Sequence, residues 1–156
     1  VKPLRIYVDS SVLGGCGDAE FEADSLRLME WARHQDLKLL ISEITLRELE
    51  PAPPSVKDIL NSLPAECLEY IVLTSEMTSL RDAYLEAGVV GPRWMDDAAH
   101  VAAATVARAD AIVSWNFKHI VRLEKIKGYN DVNLSHGYEA LTIITPREVR
   151  LHESEG

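Results

Sequence analysis

The chain has 156 residues, 47% of them apolar and 26% charged, with a formal net charge of −9 at neutral pH. This is enough chain to bury a core unaided, with residues 1–150 expected as a single domain and 151–156 as a short tail. Two cysteines, Cys16 and Cys67, outside any CxxC or zinc spacing, argue against a disulfide framework and structural zinc and for a reducing, cytoplasmic setting, while no stretch is apolar enough to span a membrane or to serve as a secretory leader.

In chain order, "LRIYV" (4–8) predicts a strand that ends at Asp9, followed by Ser10, Ser11 and the Gly14-Gly15 pair. Residues 19–35 carry Phe21, Leu26, Leu28, Met29 and Trp31 at near-helical spacing. A second buried strand is expected over 37–42. A short helix over 43–50 follows and is stopped by "PAPP". Residues 55–63 predict a brief helix and 67–73 a third strand. The stretch 75–88 reads as a helix with Ser75 as N-cap and Gly88 past its end. The Ala-rich run 95–109 has strong helix propensity. Residues 110–114 and 141–145 complete the strands, and the basic stretch Lys118, His119, Arg122, Lys125 and Lys127 between them reads as a solvated helix face.

Strands alternating with helices predict an α/β fold: a three-layer sandwich around a central parallel five-stranded sheet, in the order 3-2-1-4-5. In that order strands 1 and 4 are neighbours where the winding reverses, and ligands bind outside the carboxyl ends of strands at such a point. Asp9 leaves strand 1 there, and Ser114, Trp115 and Asn116 leave strand 4. Glu48 follows strand 2, with Glu43 and Glu50 as competitors. Asp96 and Asp97 open the Ala-rich helix, where favourable placement at the positive helix end explains one acid without any function.

Taken singly, each carboxylate has a structural explanation. Together they repel one another unless a cation intervenes, and oxygen ligands of this kind suit Mg²⁺ or Mn²⁺. A net charge of −9 supplies no long-range attraction to nucleic acid, so binding to phosphate needs local cations or a metal.

These residues carry a resemblance. "RIYVDSSVLGG", "ISEITLREL", "MDDAAHVAAATVARADAIVSWNFKHIV" and "LTIITPREV", in this order and spacing, resemble the PIN-domain proteins and, among them, the VapC-type ribonuclease toxins of toxin–antitoxin pairs. The resemblance implies a metal-dependent endoribonuclease in which Asp9, Glu48 and Asp97 hold Mg²⁺ or Mn²⁺ and Ser114 and Asn116 complete the catalytic set, with Asp96 as a flanking alternative to Asp97. Lys118 and Arg122 are candidate substrate-binding residues. RNA as substrate, a small cognate antitoxin and a homodimer are the implied partners.

Two departures stand out. "DSS" replaces the usual Thr-containing stretch after the first acid but keeps its hydroxyls. Asn116 occupies a position that is often Asp, which removes one charge and weakens the case for a second metal ion. That departure is the basis of the alternative reading, a non-catalytic PIN-like binding module. A receiver or phosphohydrolase using Asp9 as nucleophile would call for paired acids at strand 1, and "VDSSV" has none. His100, one turn after Asp97, either orients a site carboxylate or packs in the core. Trp94 and Trp115 offer base stacking or core packing.

Overall fold

The computed structural model describes residues 2–151, so nearly all of the expected 151–156 tail lies outside the described residues. Five strands form one parallel sheet: β1 (Leu4–Val8), β2 (Leu37–Ser42), β3 (Leu68–Ile71), β4 (Ala111–Val113) and β5 (Ile143–Ile144), ordered β3-β2-β1-β4-β5. This is the expected PIN-like order. The helices are α1 (Ser10–Gly15), α2 (Glu22–Arg33), α3 (Glu43–Leu49), α4 (Pro54–Asn61), α5 (Ser75–Glu86), α6 (Met95–Val106) and α7 (Leu123–Ser135). Among the described residues no helix is long and apolar enough to cross a membrane.

Side chains alternate across a strand, so β1 feeds two cores. Ile6 and Val8 join Leu39, Ile41 and Val113 beneath α1, α2 and α4. Tyr7 points the other way and joins Leu40, Ile112 and Ile143 beneath α5, α6 and α7. The sheet is therefore the middle of three layers. Helix α6 lies directly on it because its inner face is alanine: Ala98, Ala102 and Ala103 are fully buried, and small side chains permit close approach.

Several boundaries differ from the sequence expectation. Helix α5 is capped by Thr74, whose hydroxyl accepts from the Met77 amide at 3.2 Å, rather than by Ser75, which is its first helical residue. Gly88 does follow its end, at φ +75°. Helix α1 was not expected at all, since six residues with two glycines carry little periodic signal. It forms because Asp9 caps it, accepting the Ser11 amide at 3.1 Å. The basic stretch is only partly helical. Lys118 and His119 precede α7, and Arg122 is its N-cap residue.

Gly15 is required by a close approach. A Cβ there would lie 2.6 Å from Ser25 Oγ and 2.8 Å from Trp115 Nε1, and these two atoms are already bonded to each other at 2.8 Å. Neither partner can yield without breaking that bond. Gly15→Ala is expected to destabilise the chain by about 1–3 kcal/mol. Gly14 faces open space, so Gly14→Ala should be neutral or stabilise by up to ~1 kcal/mol. Chemical denaturation of both variants checks this, and coincident midpoints would reject the packing account.

Candidate active site

Register places the first two site residues. Val8 pairs with Val113 across the β1–β4 ladder, so the next residues, Asp9 and Ser114, leave adjacent strands side by side. Ser114 Oγ donates to Asp9 Oδ2 at 2.6 Å, and Ser11 Oγ donates to Asp9 Oδ1 at 2.5 Å. Asp9 is buried, and burial pushes its carboxyl above the ordinary range, against the lowering effect of His100 and the two hydroxyls.

Glu48 is delivered by α3, which starts where β2 ends. Ser42 closes the strand and caps the helix, accepting the Thr45 amide at 3.3 Å, while Thr45 Oγ1 donates to the Val8 carbonyl at 3.1 Å. These bonds fix α3 to the carboxyl end of β1. Of the three neighbouring glutamates, Glu43 accepts the Leu73 amide at the sheet edge and Glu50 is exposed. Glu48 alone turns inward, where Ser10 Oγ donates to its Oε1 at 3.0 Å and His100 Nε2 lies 2.7 Å from the same oxygen.

His100 is fully buried, and its other nitrogen, Nδ1, lies 2.7 Å from the Tyr7 hydroxyl, itself 2.7 Å from Ser42 Oγ. Burial opposes its charge, yet Tyr7, Glu48 and Asp9 together hold it well above the usual histidine range. In that imidazolium both ring N–H groups donate, to Glu48 and to Tyr7. Burial also works against the Glu48 carboxylate, but the His100 hydrogen bond and charge outweigh it and hold Glu48 below its usual value. The histidine thus orients a site carboxylate. Tyr7, which sequence reading treated only as a strand residue, orients the histidine.

The two acids that open α6 are separated by their partners. Asp96 is exposed and pairs with Arg47 at 2.9 Å. Asp97 is half-buried and raised above its ordinary value chiefly by burial, with Glu48 adding to it and His100, His119 and the Asn116 side chain opposing. Asn116 Oδ1 accepts the backbone amides of Lys118 at 3.2 Å and His119 at 3.0 Å. Its oxygen is therefore committed to the turn, which leaves its amide group to act on Asp97.

Glu48, Asp97, Asn116 and Lys118 line one cleft of about 430 Å³ together with Arg93, Trp94, Asp96 and His119. Asp9 and Ser114 are not part of that lining. Arg122 is not either, and its guanidinium pairs with Glu124 at 3.0 Å. Trp115 is buried and donates to Ser25, which makes it a core residue. Arg93, in the unremarked stretch "VVGPRW", reaches the cleft without any sequence signal beyond its nearness to Asp97.

The donors gathered here are oxygens, the type a hard divalent cation prefers. Among the described residues no three His, Cys, Asp or Glu side chains stand close enough to hold a metal ion. A magnesium-type ion keeps several waters and needs only one or two carboxylates plus substrate oxygens. Glu48 and Asp97 fit that smaller demand.

No protein-family model and no curated protein matches the chain. Solved structures do share its fold. One is VapC20 of Mycobacterium tuberculosis, a Sarcin–Ricin loop cleaving toxin, with TM-score 0.56 and 15% identity over 73% of this chain and 92% of that one. Another is VapBC2 of Rickettsia felis, bound to a promoter DNA fragment, with TM-score 0.54 and 17% identity over 74% and 90%. The fold resembles that of the PIN/VapC toxins.

Two predictions follow from the charges. A carboxyl whose folded pKa is raised binds protons more tightly folded than unfolded, so its contribution is present at low pH and is lost as pH rises through the folded value. Asp97 carries that cost at neutral pH. Asp97→Asn should raise Tm at pH 7 by roughly 2–4 °C, the effect of about 1 kcal/mol in a chain this size. The gain should vanish toward pH 3, and a Tm that falls at pH 7 would contradict it. His100→Ala leaves Glu48, Tyr7 and a cavity unserved, and should cost roughly 3–5 kcal/mol by denaturant titration.

Proposed function

We propose that the chain is a metal-dependent endoribonuclease and the toxin of a type II toxin–antitoxin pair. The observation that carries this reading is the placement of Glu48 and Asp97 on one open cleft at the switch point of the sheet, with Asp9 beside them between β1 and β4. Burial penalises the charges of Asp9 and Asp97, a cost that a bound cation would relieve. RNA as the substrate class is supported by the likeness in fold to VapC20. The VapBC2 complex supports a cognate antitoxin in the same general way.

Glu48 and Asp97 would hold Mg²⁺ or Mn²⁺, directly or through water, with Asp9 behind them adding negative charge rather than a direct ligand. Bound there, such an ion supplies Lewis acidity toward a phosphodiester and its attacking water. The chain's own side chains prepare the acids. His100 keeps Glu48 ionised and aimed at the cleft. Ser11 and Ser114 fix both oxygens of Asp9, and Asn116, beside Asp97 on the cleft, shapes the turn that carries Lys118. Lys118 lines the cleft and is exposed, as a phosphate contact must be. Arg122, spent on Glu124, is a weaker candidate for that role.

A second reading, a binding module that has lost catalysis, is favoured by Asn116 in an acid's place and by the lack of a three-ligand cluster among the described residues. One experiment separates them. Purified chain is incubated with single-stranded and structured RNA in Mg²⁺, Mn²⁺ or EDTA, beside Asp97→Asn. Cleavage is expected to require metal and to fall at least about a hundredfold in the variant. Full activity in Asp97→Asn, or in EDTA, would sink the mechanism. No cleavage by folded protein would favour the binding module.

A further inference from the structure

We propose that Trp94 and His119 form a nucleobase-stacking platform at the rim of the acidic cleft, holding an unpaired RNA base next to the phosphodiester presented to Glu48 and Asp97. The inference rests on the ribonuclease reading and adds how the substrate is held. Trp94 closes a short 3-10 turn, Pro92–Trp94, immediately before α6, three residues from Asp97. Its φ-restricted proline fixes the approach of the chain. His119 comes from the turn after β4, on the opposite wall. The two rings meet at 4.1 Å between centroids and 21° between planes.

The His119 side of the pair is held by its backbone. The His119 amide donates to Asn116 Oδ1 at 3.0 Å, and its carbonyl accepts the Tyr129 hydroxyl at 2.7 Å. Asn116, which lines the cleft with Asp97, therefore also sets the platform. Trp94 is 38% exposed, whereas Trp115 is 7% exposed and hydrogen-bonded inside the core. His119 covers the indole on one side and the exposed Arg93 guanidinium lies over the ring as well, so an incoming base stacks on this pair by displacing Arg93 from the indole toward its phosphate.

Charge explains why stacking is needed. The net charge of −9 repels RNA at long range, so recognition must come from contacts that act only at short range. Base–aromatic stacking does so and tolerates any base. The phosphate partners are local. Arg93 lies over the Trp94 ring, 5.1 Å from its centroid, and it lines the cleft with Lys118. Arg47, by contrast, is engaged by Asp96. Carboxylates inside, aromatic faces at the rim and two cations beside them match a nucleotide's scissile phosphate, base and flanking phosphate.

The test uses the full chain carrying Asp97→Asn, which binds without cutting. Affinity is measured by fluorescence anisotropy for a labelled single-stranded oligoribonucleotide and for the same strand made abasic. Trp94→Ala should weaken binding of the base-bearing strand roughly tenfold, the scale of one lost stack, and leave the abasic strand unchanged. Trp94→Phe should restore affinity to within about threefold. Equal losses on both strands would mean a packing role and overturn the platform, as would no loss on either. Absence of binding to both strands also overturns it. If the parent chain in that case still cleaves RNA, the nuclease reading survives alone, and if it does not, both fall.

Discussion

One buried imidazole joins the parts of this molecule that matter for its cleft. His100 projects from α6 to the end of β1, where Tyr7 takes one of its nitrogens, and to α3, where Glu48 takes the other. Tyr7 in turn reaches Ser42, the residue that ends β2 and caps α3. A closed circuit of hydrogen bonds thus runs through two strands and two helices. A charged histidine without water is costly, and the circuit offsets that cost only while all its partners stay in place. Moving α6 away from α3 and β1 would break both bonds of the buried histidine at once. Such a constraint keeps the two walls of the cleft, Glu48 and Asp97, at a fixed separation.

The same circuit makes the three acids unequal. Glu48 is held below its usual pKa by a neighbouring cation, whereas Asp9 and Asp97 are pushed up by burial. Asp9 is saturated by hydroxyl donors, and Asp97 is left with an amide and the open cleft. In the proposed mechanism a cation arriving from solvent meets Glu48 and Asp97 on the open cleft, and it gains most at Asp97, which is penalised by burial and lacks the histidine partner that Glu48 has. The fold stores part of its stability as unfavourable charge at the place where a ligand would relieve it, a common relation between stability and function.

Much of this was legible in the sequence, for reasons that can be named. Strand order follows from alternating strands and helices, and once β1 and β4 are neighbours, Asp9 and Ser114 must meet. Glu48 was separable from Glu50 by helical geometry alone. What escaped depended on partners distant in sequence. Tyr7 is one residue in an apolar strand until α6 supplies His100. Helix α7 lacks a clean stripe: Leu123 and Leu134 are exposed while polar Asn133 is fully buried. Membership of the basic stretch after β4 singled out Arg122 and not Arg93, yet Arg122 is spent on Glu124 and Arg93 reaches the cleft from before α6. Short-range patterns reveal backbones well, and ion pairs across the fold poorly.

Asn116 brings these strands of reasoning together. Read through the resemblance to PIN-domain proteins, it stands where an acid is often expected, and so as a loss. In the fold its oxygen accepts two backbone amides, of Lys118 and His119, a task an aspartate oxygen would perform equally well. The difference lies in the second atom. An aspartate would present another negative oxygen to Asp97, which burial already penalises, whereas the amide presents a donor. The exchange lowers the negative charge of the cleft, favouring fewer bound cations. It also places a neutral amide, rather than a second acid, beside Asp97 on the cleft. What looks like decay of a metal site is, in physical terms, the anchor of the turn that carries Lys118 and His119 to the rim.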